Sequence, residues 1–258
     1  MRLDPAAAAA GLHLSVHDTL LSTNTEALAL ARRGENGPLW VTARQQTAGR
    51  GRRGNAWIST PGDLHATLLL CDPAAPENVP QLSFVAALAV HDAIVDRATA
   101  LRKRLALKWP NDILCGSAKL AGILIESETI ATRLAVAVGI GVNCMHHPVE
   151  TAYPATDLAA AGVAVSAEDL FFALSGATAR RLAQWRRGAA FQSIRTDWLD
   201  RASGIGGEMR VRLPENREFV GRAEALDERG RLLLRLADGT LQTITAGDVF
   251  PVAASERN

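Results

Sequence analysis

Two almost uninterrupted apolar runs, KLAGILIESE at residues 119–128 and ATRLAVAVGIGVN at 131–143, are separated by a short polar break. A strand with one wet face alternates polar and apolar residues, whereas a strand covered on both faces does not. These runs predict successive buried strands of a central sheet, and the rest of the chain must supply layers to cover them. LALKW (105–109) reads as the strand before them, and PLWVTAR (38–44) and LHATLLLC (64–71) as two more.

Helices punctuate the strands. Thr23 and Glu26 fit a capping box opening a first helix, with Gly34 as its stop. A long helix is expected after Pro80, with Leu82, Val85, Leu88 and Val95 at helical spacing. Ser166 and Asp169 fit a second capping box, opening a helix to about Arg187, and a last helix covers Gln192 to Ala202. Around Gly204 the pattern changes to short β segments (EMRVRLP, EFVGRAEAL, RLLLRL, GTLQTIT, DVFPV) between the turn signals PENRE, DERG and ADG. The fold class is therefore α+β: a central mixed sheet with flanking helices over residues 1–203, followed by a small β-barrel over 204–258.

Composition narrows the function. The 258 residues carry 28 basic and 27 acidic side chains, a formal charge of +1. Bulk electrostatic binding of nucleic acid normally needs a clear basic excess, so no nucleic-acid partner is expected. Cys71, Cys115 and Cys144 form no C-x-x-C pair, which suits a reducing compartment and neither a disulfide framework nor a zinc site. No convincing signal-peptide core is seen, and no window is read as approaching the roughly 18 strongly apolar residues of a spanning helix. A cytoplasmic protein without membrane attachment is expected.

GRGRRG, Gly49 to Gly54, matches the dinucleotide pattern G-x-G-x-x-G, but that fingerprint needs a helix directly after the glycines. Here NAWISTPGD leads into a strand. A kinase lid would tolerate the strand but requires H-R-D and D-F-G, and neither occurs. What remains is a loop whose glycines bring backbone N–H groups close to an anion and whose Arg50, Arg52 and Arg53 add planar charged donors. A solvated basic turn is the plain alternative.

Three other segments decide between them: LSTN (21–24), KWPND (108–112) and KLAGIL (119–124). Singly, each has a dull reading as cap, turn or strand end. In this order with QQTAGRGRRGNAW and GIGVN, they closely resemble the biotin protein ligases, over roughly Leu21 to Asn143, and the terminal β segments resemble that family's small SH3-like domain. The resemblance implies a catalytic domain of the class II synthetase-like, biotin–lipoate ligase type. It also implies a two-step reaction with ATP and biotin as substrates and Mg²⁺ accompanying ATP. Biotin becomes biotinyl-5′-AMP, then passes to a lysine of the biotin carboxyl carrier protein of acetyl-CoA carboxylase.

Carried over residue by residue, the resemblance gives Ser22, Thr23 and Gln46 to the ureido group, with Asn24 completing the motif. Arg50, Gly51 and Arg52 cover the ligand, and Lys119 touches the biotin carboxylate and the α-phosphate. Arg50, Arg52, Arg53, Trp57, Lys108, Asn111, Lys119 and Asn143 are assigned to the nucleotide. Lys119, Arg52 and Asp112 are the catalytic candidates. Whether Asp112 positions the acceptor lysine, takes its proton or helps to hold Mg²⁺ stays open. No protein metal site is expected, and His146 and His147 read as loop residues. Residues 145–162 are expected to close over the adenylate. Twenty-one residues precede Ser22, too few for the helix-turn-helix domain of the repressor-type members, so the monofunctional type is expected. An exposed edge strand leaves room for a homodimer or for pairing with the carrier. The rival readings are a lipoate-type ligase, a non-catalytic biotin sensor and a nucleic-acid module using RGRR.

Overall fold

The computed structural model describes residues 1–149, 151, 153–213 and 217–252. In chain order the first part contains α1 (Pro5–Ala9), β1 (His13–Leu20), α2 (Thr23–Arg32), β2 (Leu39–Gln46) and β3 (Leu64–Cys71). It continues with α3 (Leu82–Arg97), β4 (Leu105–Lys108), β5 (Asp112–Cys115), β6 (Ala118–Ile130), β7 (Arg133–Val142), α4 (Ala167–Trp185) and α5 (Phe191–Leu199). The seven strands form one sheet in the order β1-β2-β3-β7-β6-β5-β4. The pair β1–β2 is parallel and every other neighbouring pair antiparallel, so the sheet is mixed, as expected.

The two apolar runs are β6 and β7, adjacent and antiparallel in the middle of the sheet. One face of the sheet packs on α3 and α4 through Trp40, Leu64, Leu68, Val136, Val138 and Ile140. The other is covered at one end by α2, where Ala27, Leu28 and Ala31 meet Val41, Leu69, Ala135 and Ala137. The helical stretch Pro76–Arg97 is long and apolar enough to cross a membrane by length and composition, contrary to the sequence reading. It is packed inside the fold, so its apolarity serves the core of the larger domain.

Elements the sequence reading omitted are short or polar. β1 is an edge strand without a buried position, exposed at His13, Val16, Asp18 and Thr19, so no apolar face marks it. β5 has only four residues and follows the proline turn directly. The first capping box does not form. Ser22 takes the N-cap position without a side-chain cap bond, while the Thr23 amide and hydroxyl both donate to Gln46 Oε1, at 2.9 and 3.1 Å. A tertiary acceptor has displaced the local one. The second forms in its N-cap half: Ser166 Oγ accepts from the Asp169 amide at 3.0 Å, while the Asp169 carboxylate accepts from the Ser166 hydroxyl at 2.7 Å instead of from its backbone N–H. That helix ends at Trp185, two residues early, because Arg186 and Arg187 adopt left-handed φ of 51° and 57°.

The second part is β8 (Glu208–Arg212), β9 (Glu218–Leu226), β10 (Leu232–Leu236), β11 (Leu241–Ile244) and β12 (Asp248–Pro251). All five expected segments become strands of one antiparallel sheet, ordered β11-β10-β9-β8-β12. The strand set suits an SH3-like domain, but β11 and β12 are not paired, so the sheet is open among the described residues. Most of the PENRE turn, residues 214–216, lies outside the described residues.

Ser166→Ala removes the one cap bond that satisfies an N-terminal amide of α4. The expected loss is about 1 kcal/mol, read as a lower urea midpoint at unchanged slope.

Candidate active site

Strand β7 reads AVAVGIGV over residues 135–142, and its two faces differ by size. Because side chains alternate along a strand, Val136, Val138, Ile140 and Val142 point into the helical core. Ala135 and Ala137 lie under α2, and Gly139 and Gly141 continue that face beyond it. Gly141 pairs directly with Gly122 of β6, which leaves a patch of sheet without Cβ atoms. The Trp57 indole lies on this patch: a Cβ on Gly141 would stand 2.5 Å from the ring, and one on Gly122 3.2 Å. A Cβ on Gly139 would collide with the Asn24 carboxamide. The glycines of KLAGIL and GIGVN are therefore the floor of a cleft whose lining also includes Ser22, Gln46, Arg52 and Lys119. The sequence reading had valued these segments for Lys119 and Asn143 and passed over their glycines.

At one end of the cleft the STN segment meets β2 and β3. Gln46 accepts from Thr23 through Oε1 and donates to Ser59 Oγ at 2.9 Å through Nε2, which fixes its amide orientation. Thr67 Oγ1 lies 2.8 Å from Thr23 Oγ1 and 2.6 Å from Asn24 Oδ1. Thr67 was not picked out from sequence, although His65 and Thr67 are alternate polar residues in an otherwise apolar strand. Ser22 is buried at 4% exposure, and its hydroxyl has no partner among the described residues. That hydroxyl opens onto the cleft, where a ligand can pair with it.

The loop between β2 and β3 folds over the floor. Arg50 and Ala56 bridge across its neck, and Arg53 and Gly54 turn it with φ of 55° and 76°. No helix of useful length follows the glycines, only a three-residue 3₁₀ turn. The three arginines part company. Arg50 donates to Glu126 at 2.8 Å and to Thr25 Oγ1 at 2.8 Å. Arg53 leaves the cleft for the second domain, donating to Asp248 at 2.7 Å and to the Arg212 carbonyl at 3.2 Å. Arg52 donates to Asn111 Oδ1 at 3.1 Å and to the Gly247 carbonyl at 3.3 Å, with Asp248 3.9 Å away. Burial lowers the Arg52 pKa, opposed in part by Asp248, so this guanidinium is short of compensating charge.

Asp112 occupies the charged centre. The sequence reads KWPND as a proline turn with Asp112 in it, whereas in the structure Asp112 is the first residue of β5. Its register partner is Gly122, and the Lys119 stem lies along that glycine to bring Nζ within 2.6 Å of Oδ1. Lys108 Nζ stands 3.1 Å from Oδ2. Burial alone would raise the Asp112 carboxyl; the ammoniums of Lys119 and Lys108 outweigh it and hold the group below the usual carboxylate range. Lys108 does not line the cleft. It is buried beneath Asp112, 4.2 Å from the Tyr153 ring and 3.4 Å from the Val249 carbonyl. Lys119 faces the cleft 5.8 Å from the Trp57 ring, and Asn111 ties Arg52 to the Ile123 carbonyl of β6.

Asn143 is placed differently from the rest. Its side chain donates to the Thr156 carbonyl at 3.0 Å and lies outside the cleft lining, so it anchors the segment that follows β7. Asp63, unmarked in the sequence reading, caps the same turn: its Oδ1 accepts from the amides of Cys144, Met145 and His146 at 2.8, 2.9 and 3.1 Å. Within the expected closing segment, Lys119 exchanges backbone bonds with Pro154 and Thr156; residues 150 and 152 lie outside the described residues. His147 pairs with Asp157 at 2.6 Å. Among the described residues no group of three or more His, Cys, Asp or Glu side chains could hold a metal ion. Cys144 is buried, and burial with the nearby Asp63 pushes its thiol up to about 12, which makes it a poor nucleophile.

A bare sheet floor, a polar recess at one end and the cations of Lys119 and Arg52 on the same lining can hold two anionic reactants together. That is the working geometry of a carboxylate-activating ligase. The chain belongs to the biotin protein ligases. Residues 18–143 match the biotin/lipoate A/B protein ligase family and 204–250 the biotin protein ligase C-terminal domain. It is 42% identical to a biotin–[acetyl-CoA-carboxylase] ligase of Paracoccus denitrificans, over 89% of this chain and 96% of the relative. A ligase of the same description from Mycobacterium tuberculosis is 35% identical, over 88% and 85%. The biotin protein ligase of Aquifex aeolicus, solved with biotin and ATP, superposes with a TM-score of 0.78 at 25% identity, covering 92% of this chain and 97% of that one.

Asp112→Asn leaves the buried Lys108 ammonium without its counter-charge, at an expected cost of about 3 kcal/mol at pH 7. Because the folded-state pKa of Asp112 is depressed, its contribution is present above the unfolded value of about 3.9 and is lost as the pH falls through the folded one. Urea titrations should therefore show the gap between wild type and variant closing below about pH 4.

Proposed function

We propose that this chain is an ATP-dependent biotin ligase that forms biotinyl-5′-AMP and then an amide between biotin and a lysine of the biotin carboxyl carrier protein. The observation that carries the reading is the meeting, in one cleft, of the STN–Gln46 recess, the Arg52 lid and the Lys119–Asp112 pair. A carboxylate attacking the α-phosphorus of MgATP brings two anions together and builds charge on the phosphoryl oxygens. Fixed donors that need no reorganisation favour both events. Lys119 supplies a compact charge that moves from Asp112 to the reacting oxygens, and Arg52 exchanges two neutral acceptors for phosphate. Both oxygens of Asp112 face ammonium groups, which fits charge positioning better than metal ligation, so magnesium enters as part of the ATP substrate.

The recess favours biotin over lipoate. A ureido group offers two N–H donors and a carbonyl to Ser22, Thr23 and the Asn24 end of the pocket. A dithiolane offers none and would leave the Ser22 hydroxyl buried and unmatched, an arrangement that costs about 1–3 kcal/mol. The acceptor lysine approaches past Asp112, which orients its ammonium before the proton leaves. The cytoplasm is the compartment we assign. The exposed edge β1 has unpaired backbone groups suited to strand addition by a second polypeptide.

Biotin should elicit ATP–pyrophosphate exchange and lipoate should not; exchange with lipoate alone, or biotin binding without exchange, would overturn the assignment. Arg52→Gly should raise the release rate of the adenylate about tenfold, because a reactive anhydride needs its lid until the acceptor arrives. An unchanged rate would remove Arg52 from that role.

A further inference from the structure

Glu126 lies in β6 on the cleft side of the sheet but does not line the cleft, and neither motif nor mechanism has used it. Its Oε2 accepts from Asn24 Nδ2 and from Arg50 Nη2, both at 2.8 Å, and its Oε1 accepts from Arg50 at 3.1 Å. Arg50 also donates to Thr25 Oγ1 at 2.8 Å. The Asn24 amide is occupied on both sides. Its nitrogen serves Glu126 and the Leu124 carbonyl, its oxygen lies 2.6 Å from Thr67 Oγ1, and its carboxamide rests on the bare backbone of Gly139. One carboxylate thus joins the lid loop, the start of α2 and the floor of the recess.

We propose that Glu126 is a positioning residue that fastens the lid to the polar end of the cleft, and that Arg50 is the fastened group rather than a ligand of the reacting anions. The comparison between the two lid arginines carries the inference. An incoming anion that recruited Arg50 would have to displace a carboxylate that accepts charge-assisted hydrogen bonds from it. At Arg52 it displaces two uncharged acceptors, an amide oxygen and a carbonyl, and meets a carboxylate only at the longer distance of 3.9 Å. The lid's charges therefore divide, with Arg50 closing the loop and Arg52 serving the ligand. The same carboxylate aligns Asn24 beside Thr23, so lid closure and recess geometry are set together.

The inference rests on reading the cleft as a biotinyl-adenylate site, so one of its tests uses no ligand. Trypsin can cut the loop at Arg52 and Arg53 in the full chain. Glu126→Gln, which keeps the size and removes the charge, should speed that cleavage roughly fivefold with the melting temperature unchanged. The effect is modest because the pair is partly exposed, with side-chain exposures of 42% and 31%, and solvent screens it. With biotin and ATP present, adenylate release should rise by a similar factor while the KM for ATP stays fixed. Arg50→Met should reproduce both effects, and the double variant should be no worse than either single one. Unchanged loop cleavage, additive effects, or a lowered KM for ATP in Glu126→Gln would overturn the inference, the last because it would mean that Arg50 had been withheld from the phosphates. If the wild type shows no biotin-dependent exchange, the functional assignment falls, and the tryptic comparison still decides the fastener.

Discussion

A strand that must fill a helical core on one side and receive a flat ligand on the other needs two residue vocabularies in one sequence. β7 solves this with period two: valine and isoleucine on the core face, alanine and then glycine on the other. The alanines let α2 approach closely, and the glycines beyond its end leave the backbone bare. Every other part of the cleft is referenced to that floor. Trp57 lies on it, Asn24 rests on Gly139, and Lys119 runs along Gly122 to reach Asp112. The depth of the site is thus set by missing atoms on β6 and β7, and the functional side chains stand around the edge.

The cations assembled there are held by the protein's own carboxylates: Lys108 and Lys119 by Asp112, Arg53 by Asp248, Arg50 by Glu126. This arrangement lets a chain of nearly zero net charge gather several cations in and around one cleft without self-repulsion. It also grades the cations by availability. Arg50 and Arg53, each bonded to a carboxylate that no lysine shares, act as struts. Arg52 donates to two neutral acceptors with its nearest carboxylate at 3.9 Å, and Lys119 shares its carboxylate with a second lysine, so these two are the groups free to answer an arriving anion.

The strands and long helices were legible because burial on both faces leaves continuous apolar runs and because Ser166–Asp169 capping is a local bond. β1 and the Thr23 cap were not, since an edge strand needs no apolar pattern and a distant Gln46 can outbid a neighbour for an amide. In the site, charged groups announced themselves by motif, and the structure gathers Arg52, Asp112, Lys119, Asn111 and the STN residues around one cleft. Asn143, Lys108 and Arg53 belong to the same motifs yet point elsewhere. Motif spacing reports that residues are needed together, and only the fold reports which way each one faces. Thr67, Asp63 and Glu126 escaped notice for the opposite reason: each is an ordinary polar residue whose importance comes from partners distant in sequence.

Trp109, the second residue of KWPND, donates its indole N–H to the Gly230 carbonyl of the second domain at 3.0 Å, and neither group reaches the cleft. Beside it Lys108 reaches the Val249 carbonyl, and from the lid Arg53 reaches Asp248. The most recognisable segments of the catalytic domain are therefore also its seam with the terminal sheet. The two domains constitute a matched set: a sheet grafted from a distant relative would have to reproduce the positions of one glycine carbonyl, one valine carbonyl and one aspartate before the cleft could take its shape. Divergence in either partner is bound to the other through groups that never meet the substrate.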